Sequence, residues 1–218
     1  MKTLLSSLTQ IIALSVWLAA SQGLAADRKE WVMLTNCQYV AHADNDGDSF
    51  RVRSGTKEIY FRLYFVDAPE TNLRYAERTR EQSEHFGVTL DESMKGGRMA
   101  SDLVRDTLRE PFTIWTRWAS AAGRSNQPRY YALVMVGTNP LDEILVSKGL
   151  AQPKGVRPNL PTGEKATAHQ EKLIALEADA KKQKVGLWAS SIEKQTETPI
   201  PGSPPPTKKS LIKRLFGK

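Results

Sequence analysis

Short runs of apolar and alternating positions, broken by turns, organise the first part of the chain. Residues 31–43 (WVMLTNCQYVAHA) are apolar and rich in β-formers, which predicts a first strand. DNDGDS at 44–49 is a turn, and SFRVR at 49–53 alternates as a half-buried strand does. Ser54-Gly55 turns the chain into a long third strand, Lys57–Val66, ended by Asp67-Ala68-Pro69-Glu70 because proline cannot donate to a ladder. Residues 71–93 are highly charged and without apolar periodicity, which predicts a loop with one helical turn near Glu81–Phe86. Met99, Leu103, Val104 and Leu108 recur at helical spacing over 94–109, with Pro111 beyond as a stop. FTIWTRW at 112–118 and RYYALVMV at 129–136 predict strands four and five. Residues 142–148 predict a short helix closed by Gly149, and 164–184 a long one ending before Gly186-Leu187-Trp188. The expected fold is α+β: a five-stranded OB-type barrel with about three packed helices.

The two ends read differently. Lys2, the short apolar run Ile11–Ala20 and the small residues Gly23–Ala26 have the form of a signal peptide, and the run is too short for a comfortable membrane span. The expectation is an exported protein whose mature chain begins near Asp27. After Ser191 a Pro-rich stretch (196–207) leads into SLIKRLFGK at 210–218, a basic amphipathic tail expected to be disordered, with weak membrane-surface contact open to it. These features divide the chain into 1–26, 27–191 and 192–218. The formal charge of +7 is carried mainly by the ends. The leader holds Lys2, and residues 192–218 hold six basic groups against Glu193 and Glu197, so residues 27–191 keep only +2. Charge alone therefore argues little for a polyanionic partner. A single cysteine, Cys37, excludes an internal disulfide or a cysteine-built metal site and reads as a core residue. Nothing in the sequence points beyond a monomer.

The chain has no G-x-S-x-G elbow, no Walker-type glycine loop and no H-E-x-x-H spacing among His42, His85 and His169. Residues 44–48 superficially resemble a calcium-hand loop, but His42 and Arg53 would fall on ligand positions, which excludes it. What remains is a set of carboxylates and arginines at strand ends. Asp48 leads into strand two, Arg62 lies in strand three, and Asp67 and Glu70 flank Pro69. Hard oxygen donors at such junctions suit calcium, arginine suits phosphate, and a spare carboxylate can orient or deprotonate water. The same residues also fit ordinary turn acids and surface ion pairs. Arg62 and Asp67 are an odd number apart, so a regular strand sends them to opposite faces. A bend or bulge near Val66 is required to bring them together.

Several stretches, in order, resemble the staphylococcal nuclease family: Asp46-Gly47-Asp48-Ser49; Phe61 through Glu70 (FRLYFVDAPE); Arg129 before an apolar strand; Leu145 through Ala151 (LVSKGLA); and Lys184 through Trp188 (KVGLW). The spacings Asp48 to Arg62, Arg62 to Glu70 and Arg129 to Gly-Leu-Ala are also similar to the family's, and the likeness spans about residues 35–190. It implies that residues 27–191 form an OB-fold, calcium-dependent nuclease domain. It implies Asp48, Asp67 and the Ala68 carbonyl as metal ligands, Glu70 as the carboxylate that activates water, and Arg62 and Arg129 as phosphate-binding arginines. It also implies endonucleolytic cleavage of DNA or RNA that leaves 3′-phosphates.

Three departures accompany the resemblance. The segment after Glu70 is longer than in the simplest members. A lysine and a tyrosine expected just before the second arginine are Asn126 and Gln127 here. Tyrosines expected after Gly-Leu-Ala are replaced around Gly155 and Arg157. Gly123-Arg124 competes with Arg129 for the second arginine, although spacing favours Arg129. The competing functional reading is a non-catalytic OB module that holds single-stranded nucleic acid.

Overall fold

In the computed structural model, residues 30–121 and 127–192 are described. The expected signal peptide, the Pro-rich stretch with the basic tail, and Arg124 lie outside those residues. Strands β1 (Val32–Val40), β2 (Ser49–Ser54) and β3 (Lys57–Leu63) form an antiparallel meander. β4 (Phe112–Ser120) pairs with β1, and β5 (Tyr130–Val136) pairs with β4. A parallel pairing of β3 with β5 (Arg62 opposite Tyr131) closes the five strands into a barrel, and a two-residue strand β6 (Asn139–Pro140) extends β5. Closure demands strong curvature. Register shifts in β1 between Leu34 and Cys37, with Asn36 at φ 55°, and in β4 between Thr116 and Ser120, with Trp118 at φ 54°, supply it. Phe50, Val52, Phe61, Leu63, Ile114 and Val134 alternate inward and are buried, as is Cys37, whose thiol burial pushes up.

The expected five strands are present, but the helices differ from the expectation in two places. Residues 71–93 are not a loop with one turn. A 3₁₀ turn (Leu73–Tyr75) leads into helix α1 (Ala76–Phe86). Its buried face is Thr79, Gln82, Ser83 and Phe86, a helical spacing carried mostly by polar residues, so an apolar count does not see it. Helix α2 (Leu90–Thr107) begins four residues earlier than expected, behind a capping box of Thr89 and Glu92. Its buried face is Ser93, Gly96, Gly97, Ala100 and Val104, whereas Met99 is exposed. Small residues are needed there because the helix lies directly on the site loops. A Cβ on Gly97 would stand 2.5 Å from the Pro69 carbonyl oxygen, and one on Gly47 would stand 2.5 Å from the Ala100 Cβ.

Helices α3 (Leu141–Ser147) and α4 (Ala166–Lys182) complete the shell, so the described residues hold four α-helices where about three were expected. Leu141, Leu145 and Leu173 join the barrel core. A smaller cluster of Phe86, Val88, Ala180, Leu187 and Trp188 fastens the end of α1 to α4 and to a closing 3₁₀ turn (Gly186–Ala189). No described helix is long and apolar enough to cross a membrane.

Candidate active site

The barrel assembles the site through backbone register. Ser49 pairs with Arg62 across β2 and β3, which sets Asp48, just ahead of β2, beside the end of β3. The parity conflict between Arg62 and Asp67 is resolved where it has to be. β3 ends at Leu63, and Phe65 takes φ 68°, a left-handed conformation uncommon for a bulky residue. The Phe65 amide bonds to the Val156 carbonyl, and Asp67 and Gln152 exchange backbone hydrogen bonds, so the loop after Gly-Leu-Ala straps the bend in place. Its ring packs edge-on against His169 at 4.6 Å between centroids. His169 is buried with its Nε2 2.6 Å from Asp142.

The result is a dense cluster of charge. Arg62 places Nη1 2.9 Å from Asp48 Oδ1 and Nη2 2.8 Å from Asp67 Oδ1. Asp48 is buried; its Oδ1 accepts from the Ser49 hydroxyl and its Oδ2 from the Ala68 amide. Burial opposes the Asp48 charge, but Arg62 and these hydrogen bonds outweigh it and hold the carboxyl below its usual range. Burial also works against the Arg62 charge, and Asp48 and Asp67 overcome it, raising the guanidinium further. Asp46, whose Oδ1 accepts from the Asp48 and Ser49 amides, is pushed well up by burial and by the neighbouring Asp48. Glu70 is pushed up by burial, with Asp48 and Asp67 adding to the rise and Arg78 pulling against it.

Arg129 joins from the residue just before β5. Its Nε donates to the Ala121 carbonyl and its Nη1 to the Ser49 hydroxyl, the same hydroxyl that bonds Asp48. Its guanidinium also lies 5.6 Å from the Tyr60 ring centre, and the Tyr60 hydroxyl is pushed up to about 12, chiefly by burial. Asp48, Arg62, Asp67, Ala68, Glu70 and Arg129 thus occupy one connected region, with Arg129 reaching the carboxylates through Ser49.

Sequence reasoning missed the second wall of the site, which α1 builds. Gln82 is 1% exposed; its Nε2 donates to Asp67 Oδ2 and to the Ala68 carbonyl, both at 2.9 Å, and its Oε1 accepts from the Glu70 amide. Gln152 gives Asp67 Oδ2 another bond at 3.0 Å. Arg78, one turn before Gln82, sets Nη2 2.6 Å from Asp67 Oδ1 and 3.1 Å from Glu70 Oε1. The signal available was the stripe 79, 82, 83, 86, polar but for Phe86, with Arg78 four residues before Gln82 and so on the same side of the helix.

The donor chemistry fits a hard cation. The acidic groups that converge offer oxygen atoms, and burial, with neighbouring carboxylates adding to it, pushes Asp46 and Glu70 up. The present contacts of those oxygens are to nitrogen and hydroxyl donors, and among the described residues no three His, Cys, Asp or Glu side chains form a ready-made metal cluster. Positive charge at Asp48 and Asp67 is supplied by guanidinium groups.

The fold is a closed five-stranded mixed barrel of the OB type with helices packed on it. A family model described as staphylococcal nuclease homologue matches residues 60–190, more than half of the chain, and the chain belongs to that family. Arg62, Asp67, Ala68, Glu70 and Arg129 lie inside the match, and Asp48 lies ahead of it. The family is one of nucleases and typically uses metal ions. No curated protein matches the chain.

Proposed function

We propose that the protein is an exported, calcium-dependent nuclease that hydrolyses phosphodiester bonds of DNA or RNA by in-line attack of water, endonucleolytically and leaving 3′-phosphates. The observation that carries the reading is the single Arg62 guanidinium shared by Asp48 and Asp67, with Glu70 beside them and Arg129 one hydroxyl away. Arg62 and Arg129 donate to the non-bridging phosphate oxygens, where negative charge grows in the transition state. Glu70 takes or orients the proton of the attacking water, and its raised proton affinity brings it closer to a working base at neutral pH. Asp48, Asp67 and the Ala68 carbonyl would hold calcium, which when bound neutralises phosphate charge. Gln82 holds the Ala68 carbonyl and the Glu70 amide at fixed separation, so it positions both groups. Export rests on the composition of residues 1–26, the substrate is nucleic acid, and the working unit is a monomer.

The test is hydrolysis of single-stranded DNA, duplex DNA and RNA by the purified protein, in calcium and in chelator, with the product ends identified. Calcium-dependent cleavage to 3′-phosphates supports the proposal. Retention of single strands in chelator without cleavage under any divalent ion replaces it with the binding-module reading.

A further inference from the structure

Arg78 stands apart from the other two arginines of the site. Arg62 is enclosed, with 13% of its side chain exposed, and is held by two carboxylates of the barrel. Arg78 comes from α1, its side chain is 40% exposed, and one nitrogen, Nη2, spans Asp67 Oδ1 and Glu70 Oε1. One positive nitrogen thus neutralises two carboxylate oxygens of the same loop, one on Asp67, which would hold the cation, and one on Glu70 beside it. The backbone beneath it is anchored. Gln82 is bonded into the site one turn later, and Phe86 is locked in the apolar cluster with Trp188 and Leu187. The helix can therefore stay in place while the long, partly solvated Arg78 side chain swings away. The Asp67 oxygens keep Arg62, Gln82 and Gln152 when it does.

We propose that Arg78 is a guanidinium latch on Asp67 and Glu70 that competes with a divalent cation for Asp67, so that α1 sets the cation affinity of the site. The inference rests on the calcium site proposed above. It predicts a sign opposite to that of a merely structural ion pair: deleting the Arg78 charge should tighten cation binding, because the carboxylates lose a competitor and a like-charged neighbour of the incoming ion.

The experiment is calcium titration by calorimetry into the full chain, comparing wild type, Arg78→Met and Arg80→Met. Methionine keeps the apolar stem of the side chain and removes the charge. Arg80 lies on the same helix and pairs outward with Glu77, so it controls for surface charge. Thermal melts of each protein report folding, and Arg78→Gln serves as a second variant. Calcium should bind about tenfold more tightly to Arg78→Met, the scale of two partly solvated ion pairs, and equally to wild type and Arg80→Met. Calcium binding to wild type that is unchanged or weakened in both folded Arg78 variants overturns the latch and leaves the calcium site standing. Absence of calcium uptake by wild type and variants alike overturns the calcium site, and the latch with it.

Discussion

One half of the candidate site is built by strands and the other by a helix, and the two are held by different forces. Asp48, Arg62 and Asp67 stand on backbone that the β2–β3 register and the Asp67–Gln152 bridge fix through hydrogen-bonded ladders. Arg78 and Gln82 stand on α1, which meets the site through side chains and is fastened at its far end by Phe86 against Trp188. Closing a barrel determines where ladder residues go, so the strand half is rigid by construction. On this account the strand half carries the chemistry, and the helix half governs alignment and occupancy.

Substitutions that break this division should do so in graded steps. The largest effect is expected at Glu70. Glu70→Gln keeps the shape and removes the proposed base, and kcat should fall about a thousandfold, roughly 4 kcal/mol, in a calcium-supported cleavage assay. Arg62→Met strikes the same half through folding. It leaves buried Asp48 without its charge partner, and urea unfolding should register a loss of about 3 kcal/mol.

In the helix half, Gln82→Leu strands the Ala68 carbonyl and the Glu70 amide. Stability should fall by about 2 kcal/mol, and kcat should drop with little change in KM because Glu70 loses its alignment. A rise in KM alone, or no change in either, would show that α1 does not position the strand half. The smallest effect lies behind the bend. Burial would lower His169, but Asp142 outweighs it and raises the imidazole above its usual 6.5. A group raised on folding contributes its full stabilisation below the unfolded value and loses it as pH rises through the folded one. His169→Gln keeps a neutral bond to Asp142, so the variant should be less stable by about 1 kcal/mol in mild acid and should converge with wild type at alkaline pH. Parallel urea curves across pH check it.

The strand half was legible in the sequence because alternation and turn residues encode register. Even the bend near Val66 could be demanded from parity alone, and Phe65 next to it makes the turn. The helix half was not legible, for two physical reasons. The buried stripe of α1 is polar, so Gln82 and Thr79 are inside because they satisfy hydrogen bonds, not because they are apolar. In α2, contact with the site loops selects glycine and alanine, and a hydrophobicity pattern instead picks out Met99, which faces solvent. Arg78 read as one charge in a charged run because its partners, Asp67 and Glu70, come from another segment.

The central claim is that the strand-built carboxylates and arginines perform phosphodiester hydrolysis. Its most direct test is single-turnover cleavage of a labelled single-stranded DNA in calcium by wild type and Glu70→Gln, with calcium binding measured on the same samples. The account predicts rapid cleavage by wild type and a rate about a thousandfold lower in the variant, with calcium affinity within a few-fold. Equal rates in the two proteins, or no cleavage by wild type while calcium is bound, would contradict it.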